Sequence, residues 1–198
     1  KLYRASKIVD ELFLEQVYSK NNQLKSELIS DFSNKSIITD KPELKLELEH
    51  KLELFNIMFG PFDRLEDNVP FIGKDKKPLG ANFYPEDMTK EGFEKWIKDN
   101  PKDEKIFTSE FTIIRRENGK LVSISYNEYF KEKLTSASNL LKEAAEFSDN
   151  PSLKKYLFSR ADAFLSNDYY QSDMDWMDLK DHNIEIVIGP YEVYEDEM

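Results

Sequence analysis

Apolar residues recur at helical spacing over most of the chain. Ala5, Ile8, Val9, Leu12, Phe13 and Val17 form one stripe at i, i+3, i+4 intervals. Leu24, Leu28, Ile29 and Phe32 continue it after a polar break at Lys20-Asn21-Asn22, and Ser33 to Asp40 reads as a connection. Leu44, Leu46 and Leu48 alternate as in a strand, but the length of the segment from Glu43 to Met58 and its Glu/Lys/Leu composition predict a helix. Pro42 suits its first turn, and Gly60-Pro61 ends it. Residues from Pro61 to Pro85 are rich in Pro and Gly yet hold Phe62, Val69, Phe71, Ile72, Phe83 and Tyr84. Such apolar content predicts an ordered loop packed on the body rather than a flexible linker.

A helix is predicted after Thr89, with Glu91 in its first turn and Phe93, Trp96 and Ile97 on its buried face. Phe111 to Arg116 and Leu121 to Tyr126 are β-rich runs flanking Asn118-Gly119, the preferred pair of a type I′ hairpin. Glu117 and Lys120 then face each other. Helical spacing returns with Phe130, Leu134, Ala137, Leu141 and Ala144. Asn150-Pro151 starts a further helix striped by Leu153, Tyr156, Leu157, Ala161 and Phe164. A shorter helix follows Asn167-Asp168. Ile184, Ile186 and Ile188 alternate with Glu185 and Val187, which predicts a closing strand before Gly189-Pro190. The sum is an α+β fold, predominantly α-helical, with a small β-sheet that includes the Asn-Gly hairpin.

Length and charge narrow the function classes. The 198 residues suit one domain or two small ones. A net charge of −11 argues against nucleic acid or an anionic membrane as the main partner. That charge is concentrated: from Gln171 to Met198 nine acids stand against Lys180 alone. No run reaches the ~18 apolar residues of a membrane span. There is no cysteine, and the only histidines are His50 and His182, so thiolate zinc sites and histidine-rich metal sites are not expected in this chain. The lack of cysteine and of an apolar leader fits a cytoplasmic protein, with a periplasmic or lipoprotein parent as the alternative.

Several sites are excluded by motif. No His-Glu-x-x-His helix, phosphate loop, GxGxxG or GxSxG is present. The acidic run from Asp173 to Asp178 lacks the glycine and closing acid of a calcium loop, since those places hold Asp178 and Ile184. It reads as a solvated helix face around a buried Trp176. His50 reads as a surface residue and His182 as a turn residue. Alternation after Pro190 sets Glu192 and Tyr194 on one face. A carboxylate beside a phenol can hold a substrate ammonium while the phenol donates to a developing oxyanion. The same residues also suit an edge strand whose charges prevent aggregation.

Three stretches resemble one family. They are Trp176-Met177-Asp178-Leu179-Lys180 with the run from Ile188-Gly189-Pro190-Tyr191 to Glu197; Gly80-Ala81-Asn82-Phe83-Tyr84-Pro85-Glu86-Asp87-Met88-Thr89; and Asn150-Pro151-Ser152-Leu153 with Arg160-Ala161-Asp162-Ala163. They resemble the first half of the dipeptidyl peptidase III family of zinc metallopeptidases, most of all a bacterial branch. The resemblance implies a zinc-dependent enzyme that releases dipeptides from peptide N-termini. In that family a Glu-x-Tyr pair lies in the cleft, and Glu192-Val193-Tyr194 matches it. By this resemblance Tyr194 is the catalytic phenol, Glu192 binds the substrate ammonium, and Tyr84 falls where an aromatic residue lies near the cleft.

The family's zinc ligands, a His-Glu-x-x-x-His helix and a later glutamate, are not in this sequence. The expectation is that residues 1–198 form a single N-terminal lobe or fragment, inactive alone and holding no zinc, whose partners are a peptide substrate and the missing C-terminal part. The alternative is a non-catalytic peptide-binding or interaction module on the same scaffold. Nucleotide hydrolysis is a weaker option, since no glutamate-rich hydrolase box is present.

Overall fold

A computed structural model describes residues 1–34, 41–191 and 193–198. Most of the connection expected from Ser33 to Asp40 lies outside the described residues, as does Glu192. The fold is α+β and predominantly helical, with two two-stranded antiparallel sheets among the described residues. Tertiary contacts divide the chain into two units. Unit 1 comprises Lys1–Leu12 and Lys90–Tyr194; unit 2 comprises Phe13–Thr89 and Glu195–Met198.

Unit 2 takes the end of helix α1 (Leu2–Val17), α2 (Asn21–Phe32) and α3 (Pro42–Met58). The strand-like alternation at Leu44 to Leu48 resolves as helix, with Pro42 in its first turn. Leu14, Leu28 and Phe55 meet in its core, with Leu24, Leu52, Phe59, Phe71 and Ile72 against them. The polar break at Lys20-Asn21-Asn22 separates α1 from α2 and has a structural role. Asn21 is fully buried, and its Nδ2 donates to the carbonyls of Leu14 (2.8 Å) and Phe59 (2.9 Å). It thereby satisfies carbonyls at the ends of two helices. Gly60 lies against this amide at φ 149°, where a Cβ would come within 2.9 Å of Asn21 Oδ1. The loop that follows is ordered: β1 (Phe62–Asp63) pairs with β2 (Val69–Pro70), and Phe62 is buried beside Val17 and Tyr18.

Unit 1 holds α4 (Lys90–Asp99), α5 (Glu104–Phe107), the hairpin β3 (Thr112–Glu117) and β4 (Lys120–Ser125), α6 (Tyr126–Tyr129), α7 (Lys131–Glu146), α8 (Pro151–Ser166) and α9 (Tyr170–Met177). Phe93, Trp96 and Ile97 of α4 are only half-buried, less than their stripe predicted. The hairpin has the expected register, with Glu117 opposite Lys120, and Asn118 and Gly119 at φ 50° and 78° as a type I′ turn requires. Asn150 caps α8 by accepting from Leu153 N at 2.9 Å, with Pro151 following. Small residues let α7 and α8 pack closely: Ala137, Ala145 and Ala161 are fully buried, and Ser138 Oγ donates to the Ala161 carbonyl at 2.8 Å.

The strand expected at Ile184 to Ile188 does not form. Ile184 is 55% exposed and only Ile188 is buried. Alternation makes a strand only where another strand offers an edge. Here the Ile188 backbone is satisfied by a side chain instead: Ile188 N–H donates to the Tyr191 hydroxyl (3.2 Å), which donates to the Ile188 carbonyl (3.1 Å). The acidic face of α9 also differs from expectation. Asp175 is buried (3% exposed), whereas Trp176 is half-buried with its ring 6.4 Å from that of Tyr191. His50 is exposed as expected. His182 is half-buried, with Nε2 3.7 Å from Glu185.

Candidate substrate-binding segment

The run Glu192-Val193-Tyr194 ends unit 1, and unit 2 resumes at Glu195. Tyr194 is 70% exposed and Val193 59%. Tyr194 sits in a bend rather than a strand, so the edge-strand reading does not describe it. The segment before the run is fixed inside unit 1. Arg160 of α8 is wholly buried and pairs with Asp173 of α9. Its guanidinium lies 4.8 Å from the ring centroid of Tyr191, 5.5 Å from that of Tyr169 and 5.6 Å from that of Tyr156. The Tyr156 and Tyr191 hydroxyls share a 3.1 Å hydrogen bond, and the Tyr191 hydroxyl also lies 3.1 Å from the Ile188 carbonyl. Burial pushes the Tyr156 and Tyr169 phenols above the usual tyrosine range; for Tyr156 the bond to Tyr191 adds to it. Both stay neutral, as π-faces around a cation should be.

The segment after the run is fixed inside unit 2. Glu195 is buried (3% exposed) and pairs with Arg64 and with Lys77, whose Nζ is 2.7 Å from Oε2. Glu197 N–H donates to the Leu79 carbonyl at 2.8 Å. Tyr84 is half-buried and donates its hydroxyl to Asp196 Oδ2 at 3.0 Å. Burial raises its pKa above the ordinary value, and the Asp196 charge and hydrogen bond add to this. Gly80 permits the close approach: a Cβ there would collide with the Tyr84 ring and come within 2.9 Å of Met198 Cγ. Asn82 fastens the same loop to α1, with N–H to the Gln16 carbonyl (2.9 Å) and Nδ2 to the Glu15 carbonyl (2.7 Å).

Of the three predicted site residues, Tyr194 belongs to unit 1, Tyr84 to unit 2, and Glu192 lies outside the described residues. The sequence assigned no role to the anchors Arg160, Arg64, Lys77 and Glu195, although Arg160 and Glu195 fall within the stretches that resemble the family. Arg160 left one signal: it falls four residues after Tyr156 and three after Leu157, inside an otherwise apolar stripe.

No family model matches the chain. A solved structure of dipeptidyl peptidase III from Caldithrix abyssi is 61% identical, with a TM-score of 0.89 over 99% of this chain and 35% of that one. Over nearly its whole length the chain is similar to about a third of a dipeptidyl peptidase III. The dipeptidyl peptidase III of Corallococcus sp. strain EGB is 38% identical, with a TM-score of 0.86, covering 98% of this chain and 34% of that one. Among curated proteins, a nudix hydrolase 3 of Arabidopsis thaliana is 34% identical over 247 residues, taking in 100% of this chain and 31% of that protein. The chain thus spans about a third of the length of the relatives it matches.

The dipeptidyl peptidase III family is zinc-dependent in general. Among the described residues no three His, Cys, Asp or Glu side chains are grouped to hold a metal. No described helix is long and apolar enough to cross a membrane.

Proposed function

We propose that this chain is the N-terminal, substrate-binding portion of a dipeptidyl peptidase III-type enzyme that releases dipeptides from peptide N-termini. The observation that carries the reading is the 61% identity and TM-score of 0.89 to a dipeptidyl peptidase III over nearly the whole chain. Zinc would be held by residues outside this chain, and the chain alone would be inactive. Tyr194 presents a phenol that donates to the scissile carbonyl oxygen as negative charge develops there; such a donor is worth roughly 2–4 kcal/mol in the transition state. Glu192 pairs with the substrate ammonium, which restricts cleavage to free N-termini. Tyr84 supplies an aromatic contact to the peptide.

The test is Tyr194→Phe in the full-length protein, assayed for dipeptide release. We expect kcat to fall by about 100-fold while KM changes little, because the lost bond strengthens only in the transition state. Unchanged kcat would remove Tyr194 from the chemistry. A full-length protein that binds peptides without cleaving them would instead establish the binding-module alternative.

A further inference from the structure

We infer that Arg160 is a positioning residue for Tyr194, and that its caged guanidinium is the seat on which the Gly189-to-Tyr191 turn rests. The inference rests on the reading of Tyr194 given above. Arg160 is a charged side chain with no exposed surface, and burying such a group is unfavourable unless it is paired. Among the described residues its one ionic partner is Asp173, and its Nε and Nη1 are buried with no hydrogen-bond partner. A side chain kept so incompletely satisfied in a core is a candidate for a role beyond stability.

Its surroundings point to that role. Two of the three rings around it, Tyr156 and Tyr169, come from the helical body, and the nearest, Tyr191, comes from the turn itself. The backbone of Gly189 lies directly on the guanidinium: a Cβ at this residue would sit 2.7 Å from Nη1. Gly189 also holds φ 136°, a conformation that an L side chain rarely adopts. Tyr191 closes the turn by bonding both backbone groups of Ile188. The turn is therefore shaped around a planar cation at two points, and Tyr194 follows three residues later. A lysine keeps the charge but lacks the flat face that stacks beneath Tyr191 and the fork that meets Asp173. Small displacements of a catalytic donor cost rate steeply, so loosening the seat should lower kcat rather than raise KM.

The experiment uses the full-length protein with Arg160→Lys, Gly189→Ala, Tyr194→Phe and the doubles carrying Tyr194→Phe. Hydrogen exchange is read on peptides from 188–194 and from α7. Arg160→Lys should speed exchange at 188–194 by at least about 10-fold and leave α7 unchanged. It should lower kcat by about 10-fold with little change in KM, and have less than about 3-fold further effect once Tyr194 is Phe. Equal loosening of α7, or no change at 188–194, overturns the seat. A full multiplicative loss in the double variant overturns the link to Tyr194. Gly189→Ala attacks the same contact from the turn and must give the same pattern, which keeps the inference testable if Arg160→Lys does not fold. A silent Tyr194→Phe would sink the proposed chemistry, while the exchange result would still decide whether Arg160 seats the turn.

Discussion

The segments before and after Val193-Tyr194 are each fixed within their own unit by a buried charge, and the two charges are of opposite sign. In unit 1 the buried group is a cation, Arg160, surrounded by aromatic faces and paired with the partly exposed Asp173. In unit 2 it is an anion, Glu195, paired with two cations, of which Lys77 is nearly buried and Arg64 about a third exposed. The first anchor depends on packing and shape, because dispersion and ring quadrupoles supply much of the stabilisation. The second depends on charge balance, because a carboxylate in a low-dielectric site is stable only while its partners remain. Two segments four residues apart are thus fixed by different physics, and they should fail under different perturbations.

The sharpest way to break this comparison is to neutralise each buried charge. Arg160→Met should destabilise unit 1 by about 3 kcal/mol, since it removes the cation from its three aromatic faces and takes away the partner of Asp173. Glu195→Gln should cost unit 2 about 2 kcal/mol, chiefly by leaving Lys77 buried without its counter-charge. Denaturant unfolding of the full-length protein, followed by exchange on peptides from each unit, measures both. The salt response should also differ. The Glu195 anchor should weaken as salt screens Arg64, while the Arg160 anchor should be nearly indifferent. Identical salt dependence would mean that the two anchors do not differ in kind.

A smaller effect is expected at Tyr84. Tyr84→Phe removes the hydroxyl that donates to Asp196 and should cost about 1.5 kcal/mol, the value of a hydrogen bond to a charged acceptor. The loss should appear as faster exchange at 195–198 with the 188–191 turn unaffected. A change confined to the turn would contradict the assignment of Tyr84 to the unit 2 anchor.

Much of the fold was legible because its signals are local. The stripe of α1 and α2, the Asn118-Gly119 turn and the Asn150-Pro151 start each specify an element through residues a few positions apart. The strand expected at Ile184 to Ile188 was not reliable for the opposite reason: alternation describes a capacity to pair, and the pairing partner turned out to be the hydroxyl of Tyr191. The division into units was hidden as well, since each joins segments distant in sequence. At the candidate site, the motif drew attention to Tyr194 and Tyr84, but not to the buried charges of the flanking segments. An arginine reads as solvent-facing by type; only its place in an apolar stripe marked Arg160 as buried.

The smallest predicted effect concerns acid, and it separates the anchors by pH. Asp175 of α9 is buried beside α8. Burial alone would raise its pKa, but hydrogen bonds from Lys155, Ser159 and Gln171, with the Lys155 charge, outweigh it and hold the carboxyl below the usual aspartate value. Lys155 Nζ lies 2.9 Å away and Gln171 Nε2 2.8 Å away. A carboxyl whose folded pKa is depressed contributes stability that is fully present above its unfolded value, about 3.9, and is lost as pH falls through the lower folded value. Lys155 is itself mostly exposed, so the contribution is modest, about 1 kcal/mol. Urea unfolding between pH 7 and pH 2.5 should show Asp175→Asn less stable by this amount at pH 7 and equal to the parent at the acid end. The difference should close only below about pH 4. Because α9 also carries Asp173, the closing of that gap should coincide with loosening of the 188–191 turn. If the turn stays protected while the gap closes, Asp175 stabilises α9 without supporting the Arg160 seat, and the unit 1 anchor then rests on Asp173 and the three tyrosines alone.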